Sequence, residues 1–241
     1  MLILACDTTS EYGGAALYRD LDCLAAARSA SAASYSVTLF QMVDDLLAQA
    51  AAQQGLSLSL RDVELFAVAT GPGSFTGIRV GLAAAQAWAK AFQRPVWGVS
   101  VLEAMVEEAS PETELAVPLL DARRGEFFLE TSRRRTAEGR SRFVAEGEGL
   151  VLKPENLGSF LARLLPSGAT VTCVVREHDR LAQALRASLP ESIRWAEVRG
   201  TLLPAIARLA LEAYRRGRVQ SPAEIDAYYM RRPDAEVKWR E

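Results

Sequence analysis

Three groups of side chains in this 241-residue chain have types and spacing that could do chemistry. The first is GPGSFTGIRVG, residues 71–81, which follows the apolar run ELFAVAT and precedes a helix-like pattern. Strand, glycine-rich turn and helix, in that order, aim free backbone N–H groups and the positive helix end at an anion. The match to nucleotide loops is incomplete. A P-loop carries Lys and then Ser or Thr after its last glycine, whereas Gly77 is followed by Ile78 and Arg79; the dinucleotide pattern requires glycine at position 76, which is Thr76. The second group, Asp7, Thr8 and Thr9, ends the strand-like LILACD, where a carboxylate could orient metal-bound water while hydroxyls and amides bind phosphate. Together with Gly71, Gly73 and Ser74 it outlines a vestigial phosphate site. The competing reading of Asp7 is a turn closed on its own backbone amides, and Asp121, at the corresponding strand end of the second half, has the same two readings. The third group holds the isolated nucleophiles and bases. Cys6 lies on a strand with a buried pattern and reads as a packed thiol. Ser74 has no histidine partner, which argues against a serine hydrolase. His178, the only histidine, falls at a strand-to-helix junction and reads as a surface or capping residue. No catalytic residue and no metal site are assigned.

Packing explains more of the glycine loop than phosphate binding does. Pro72 stiffens the turn, Ser74 or Thr76 can cap the helix, and Gly77, Gly81 and Ala85 recur every four residues on one face. A glycine inside a helix costs about 1 kcal/mol relative to alanine, so two on one face imply a close backbone approach. Trp88, one turn beyond Ala84, would anchor the far end. Spacing alone leaves open whether the neighbour is this chain's own sheet or a second helix.

The elements that position these groups follow from periodicity. Strand-like runs at 2–7, 13–19 and 21–28, separated by Gly or Asp, predict an antiparallel meander. From Tyr35 to Gln54, Leu39, Met42, Val43, Leu46, Leu47 and Ala50 repeat at helical spacing, while Val37 and Phe40 lie off that stripe. A strand at 64–70, a helix from Thr76 to Phe92, a strand PVWGVS and a short helix from Val101 complete the first half. After ASPETE the order of three strands, helix, strand and helix begins again, which predicts a duplicated α/β architecture.

Composition narrows the class further. With 49% apolar side chains the chain can bury one large core or two modest ones. The start MLILACDTTS lacks a basic region and reads as a strand, so a cytoplasmic protein without membrane anchor is expected. Cys6, Cys23 and Cys173 form neither a disulfide framework nor a zinc pattern. Residues 1–122 hold 14 acids and 6 bases, residues 123–241 hold 16 acids and 22 bases. The arginines of DARRGEF, SRRRTAEGRSR and YRRGR could attract nucleic acid or an acidic partner, or could form a solvated surface interleaved with Glu.

The segments LILACDTTS, YSVTLFQMVDDLL, AVATGPGSFTGIRVGLAAAQAWA, PVWGVSVLEAM and VPLLDARRGEFF together resemble the TsaB (YeaZ) family, a bacterial subunit of the machinery for tRNA threonylcarbamoyladenosine. The resemblance is strong over residues 2–130 and thinner beyond, where AYYMRRPDAE is similar to the family's closing segment. It implies a duplicated actin-like, sugar-kinase-like (ASKHA) fold, with subdomains at 1–107 and 108–241, each a mixed sheet flanked by helices. It also implies that the two long helices form the interface with the catalytic relative TsaD, through Tyr35, Leu39, Met42, Val43, Leu46, Gly77, Gly81, Ala84, Ala85 and Trp88, and form a homodimer when the chain is alone. In the catalytic relatives two histidines one turn apart hold a metal; the matching positions here are Tyr35 and Leu39. The implied function is a non-catalytic scaffold that activates TsaD at the adenosine beside the anticodon. ATP and metal then belong to partner subunits, including a TsaE-type ATPase, and tRNA is reached through the complex. Two alternatives are a self-sufficient actin-like ATPase, which needs Mg–ATP on Asp7 and the 71–77 loop, and a metallopeptidase-like hydrolase.

Overall fold

The computed structural model describes residues 1–29, 35–137, 139–164, 170–177, 179–186, 189–190 and 192–231. The chain divides into two compact units: Met1–Ala104 with Gly200–Tyr229, and Met105–Arg199 with Met230–Glu241.

In the first unit β1 (Leu2–Asp7), β2 (Gly14–Arg19), β3 (Asp22–Arg28), β4 (Leu65–Gly71) and β5 (Val96–Ser100) form one sheet in the order β3-β2-β1-β4-β5. β1 runs antiparallel to β2 and parallel to β4, and β4 runs parallel to β5. The central strands are apolar at nearly every position because both faces are covered. Leu2, Leu4 and Cys6 share a core with α1 (Tyr35–Gln54) and α2 (Phe75–Phe92). Ile3 and Ala5 alternate to the opposite face, where α6 (Leu203–Arg215) packs against β1, β4 and β5. Beyond α6 an extended strap continues on this sheet. Gln220 pairs with Val96, Ile225 is buried in the α1/α2 core, and Tyr228 N donates to Thr70 O at 2.8 Å.

The second unit repeats the plan. β6 (Leu115–Asp121), β7 (Phe127–Ala137), β8 (Arg140–Leu152), β9 (Val171–Arg176) and β10 (Ile193–Val198) form a sheet in the order β10-β9-β6-β7-β8, which read from the other edge is the order of the first sheet. The strand directions match as well, with β6 antiparallel to β7 and parallel to β9. Leu157 and Leu161 of α4 (Pro154–Leu164) and Ala182 and Leu185 of α5 (Arg180–Arg186) cover it.

Two differences from the sequence reading concern extent. The boundary anticipated at 107/108 falls inside α3 (Val101–Ala109), and the anticipated second subdomain, 108–241, gives up residues 200–229 to the first unit. The fifth strand of each sheet is the other: β5 is legible from its sequence, whereas β10 interleaves Arg194 and Glu197 and buries only Ile193 and Val198, as suits a sheet edge.

Candidate functional site

The turn after β1 and the loop before α2 meet as one cluster. Asp7 is fully buried; its Oδ1 accepts from Thr9 N at 2.9 Å and from Thr9 Oγ1 at 2.7 Å, and its Oδ2 has no hydrogen-bond partner among the described residues. Thr8 Oγ1 donates to Gly77 O at 2.7 Å, and Ser74 N donates to Thr9 O at 2.7 Å. Ser74, the N-cap of α2, accepts from Gly77 N at 3.3 Å. Of the expected group, Asp7, Thr8, Thr9, Gly73 and Ser74 converge, whereas Gly71 faces Ile78 and the Tyr228 carbonyl.

Close approach dictates the glycines. A Cβ on Gly77 would collide with the Thr8 carbonyl oxygen, and one on Gly81 with the Thr8 hydroxyl. A Cβ on Gly73 would sit 2.6 Å from Thr9 O. Gly71 takes φ +111°, a conformation that favours glycine. The first two turns of α2 are thus pressed on the end of β1, and the hydroxyls there are consumed inside the contact.

Tyr35 closes the cluster from α1. Its hydroxyl donates to Ser10 O at 2.9 Å, and burial, reinforced by the negative charge of Asp7, pushes its pKa up to about 12. A neutral phenol is thus pinned to the β1–β2 turn, and Leu39, one turn further along α1, is entirely core. Cys6, also pushed up to about 12 by burial and by Asp7, is a protonated core thiol. Among the described residues no three His, Cys, Asp or Glu side chains gather as a metal site.

The second unit repeats the turn without its burial. Asp121 Oδ1 accepts from Arg123 N at 2.7 Å, the counterpart of the Asp7 to Thr9 contact. Nearby Asp179 accepts from Ala182 N at 3.0 Å; burial first, and the Asp121 charge further, raises its pKa. His178 lies outside the described residues. Of the arginines, Arg133 and Arg135 both bind Glu146, and Arg134 donates to the carbonyls of Pro111 and Thr113 with its guanidinium 5.0 Å from the Phe143 ring centroid. These guanidinium groups are committed within the unit.

The interface residues expected on the two helices need correction. Tyr35, Leu39, Val43, Leu46, Gly77, Gly81, Ala84, Ala85 and Trp88 are buried in this chain's own core, and Met42 packs against it. The helical period identified a packed face correctly, but that face meets this chain's own sheet, α1 over β2 and β3 and α2 over β4. What the helices turn outward is the complementary stripe: Val37 and Phe40 on α1, 77% and 52% exposed, and Ala83 and Ala87 on α2. The signal was present in the sequence, since Val37 and Phe40 are the apolar residues off the main stripe.

Two like-ordered β-β-β-α-β-α-β units define the class: an α/β protein of the actin-like and sugar-kinase-like type. A family model described as "TsaD: tRNA N6-adenosine threonylcarbamoyltransferase" matches residues 29–159. The tRNA threonylcarbamoyladenosine biosynthesis protein TsaB of Escherichia coli (strain K12) is 32% identical over 174 residues, 71% of this chain and 70% of that protein. The Bacillus subtilis (strain 168) protein of the same name is also 32% identical, over 128 residues, and the match spans about half of each chain (53%). In fold the chain is similar to YeaZ from Pseudomonas aeruginosa, with a TM-score of 0.71 at 23% identity, covering 95% of this chain and 99% of that one. The chain belongs to the TsaB family.

Proposed function

We propose that this chain is a non-catalytic scaffold subunit in the synthesis of tRNA threonylcarbamoyladenosine, pairing with a TsaD-type catalytic subunit through the outward faces of α1 and α2. The similarity to the Escherichia coli protein named for that biosynthesis carries the reading. The site chemistry supports it. One oxygen of Asp7 closes its own turn, the Thr8, Thr9 and Ser74 hydroxyls bond within the cluster, and Tyr35 and Leu39 serve the fold. The exposed pair Val37 and Phe40 supplies an apolar surface for a partner. On this reading ATP and metal are held by the partner subunits, one of them a TsaE-type ATPase. tRNA is reached through the complex, the protein works in the cytoplasm, and in the absence of TsaD the same face pairs with a second copy. Among the described residues no helix is long and apolar enough to cross a membrane.

Reconstitution tests the proposal. The chain is mixed with a TsaD-type subunit, a TsaE-type ATPase, threonylcarbamoyl-adenylate and tRNA, and the modified nucleoside is quantified. Product is expected only with the chain present, and Val37→Asp is expected to suppress it while leaving the thermal midpoint unchanged, because that side chain is 77% exposed. Equal product without the chain would refute the proposal.

A further inference from the structure

A guanidinium group committed to hydrogen bonds is not thereby neutralised, and β7 and β8 show the difference. Residues 131–146 hold five arginines against two glutamates. β6 pairs with β7 only as far as Arg133, so from Arg135 onward β7 is laddered to β8 alone, and the two strands run on past the sheet as a ribbon.

The ladder fixes which side chains share a face. Arg133 lies opposite Val144, Arg135 opposite Arg142 and Thr131 opposite Glu146, so these stand on one face, while Arg134 and its partner Phe143 stand on the other. The ladder places one carboxylate, Glu146, on the first face. Arg133 Nε donates to its two oxygens at 2.9 and 3.0 Å, and Arg135 Nη2 donates to it at 2.6 Å. One negative charge therefore serves two positive ones. Arg134 gives its hydrogen bonds to the neutral carbonyls of Pro111 and Thr113, which order it without cancelling its charge. Arg142 is exposed and has no partner among the described residues.

Like charges directly opposite on a ladder repel, and Arg135 and Arg142 are such a pair. A ribbon that keeps this repulsion beside guanidinium groups already ordered is set for an anion from outside the chain. Same-face positions along a strand are about 7 Å apart, a spacing comparable to that of successive phosphates in a nucleic-acid strand, and the guanidinium fork matches phosphate oxygens. An acidic peptide added along β8 is the poorer match. Such a peptide draws its specificity from apolar contacts on alternate side chains, and Val144 is the exposed large hydrophobic residue of this stretch. We propose that the β7–β8 ribbon binds the phosphate backbone of tRNA directly, with Arg135 and Arg142 at the contact. This goes beyond the scaffold reading, in which RNA is reached through the complex; only the choice of tRNA as the nucleic acid rests on that reading.

Fluorescence anisotropy of an unmodified tRNA transcript titrated with the full chain tests it. Affinity is expected to fall about tenfold or more between about 50 and about 200 mM salt. Arg142→Glu is expected to weaken binding about tenfold and to flatten the salt slope by about one, without lowering the thermal midpoint, because a carboxylate at that position faces Arg135. Arg142→Gln, which adds no new charge, should show a smaller loss at an unchanged midpoint. Arg142→Lys keeps the charge and should stay within about threefold of the parent. An unbound tRNA, an affinity indifferent to salt, or equal affinities for the parent, Arg142→Gln and Arg142→Glu overturns the proposal. Tighter binding of a polyglutamate peptide than of tRNA assigns the ribbon to an acidic protein and overturns it too. The reconstitution is read separately. A chain required for product that leaves tRNA unbound loses the ribbon contact and keeps the scaffold role, and a chain that binds tRNA but is dispensable for product does the reverse.

Discussion

Thr8 limits the volume allowed at positions 77 and 81, because its carbonyl and hydroxyl fill the space a larger side chain would need. Gly81→Leu is therefore expected to destabilise the fold by about 3 kcal/mol, measured by urea unfolding, and to impair pairing only through that loss. Ala83→Leu, on the exposed side of the same helix, should change stability by no more than about 0.5 kcal/mol and still disturb partner binding. Thiol chemistry offers an independent check. Cys6 and Cys173 are buried and pushed up to about 12, Cys6 additionally by Asp7, while Cys23 is exposed. A thiol reagent at mildly alkaline pH should modify Cys23 alone in the native protein and all three after denaturation. Because the folded pKa values exceed the ordinary 9.0, what these thiols contribute to stability is fully present below that pH. It is lost as pH rises toward about 12.

At the scale of elements, α5 begins at a buried carboxylate whose two demands conflict. Asp179 caps the helix through Ala182 N, yet burial and the neighbouring Asp121 disfavour its ionised form. Its folded pKa lies above the ordinary 3.8, so the stability linked to it is present below that pH and declines as pH rises through the folded value. Asp179→Asn, a neutral isostere, should accordingly match the parent in unfolding free energy at about pH 3 and exceed it at neutral pH, as measured by urea unfolding at the two pH values. How far such elements can be read beforehand depends on what periodicity encodes. The span Tyr35–Gln54 is legible to the residue because a long amphipathic repeat with one dominant stripe admits a single solution. β10 is not, since an edge strand with Arg194 and Glu197 among its six residues lacks the apolar run that marks a central strand. The cluster of Asp7, Thr9 and Ser74 is legible as a group because strand ends and glycine turns have few geometries. The direction faced by Gly77 and Gly81 is not, because spacing identifies a close-packed face without naming its neighbour.

At the scale of the molecule, the first unit is assembled from two stretches separated by nearly a hundred residues of sequence, with α6 and the strap returning to the sheet built by β1 to β5. Leu203, Ile206 and Leu211 are buried in that return, as is Ile225 beyond them. A chain ending at residue 199 would leave one face of β1 and β4 uncovered, and circular dichroism of that truncation is expected to show no cooperative unfolding transition.

The same return imposes an order on biosynthesis. Strands β1 to β5 leave the ribosome before the helix that seals their far side, with the strands of the second unit translated in between, so the first-made sheet waits with a sticky flank until α6 follows. Nascent chains of this protein should therefore engage holding chaperones until α6 emerges, and a stall placed upstream of it should prolong that engagement.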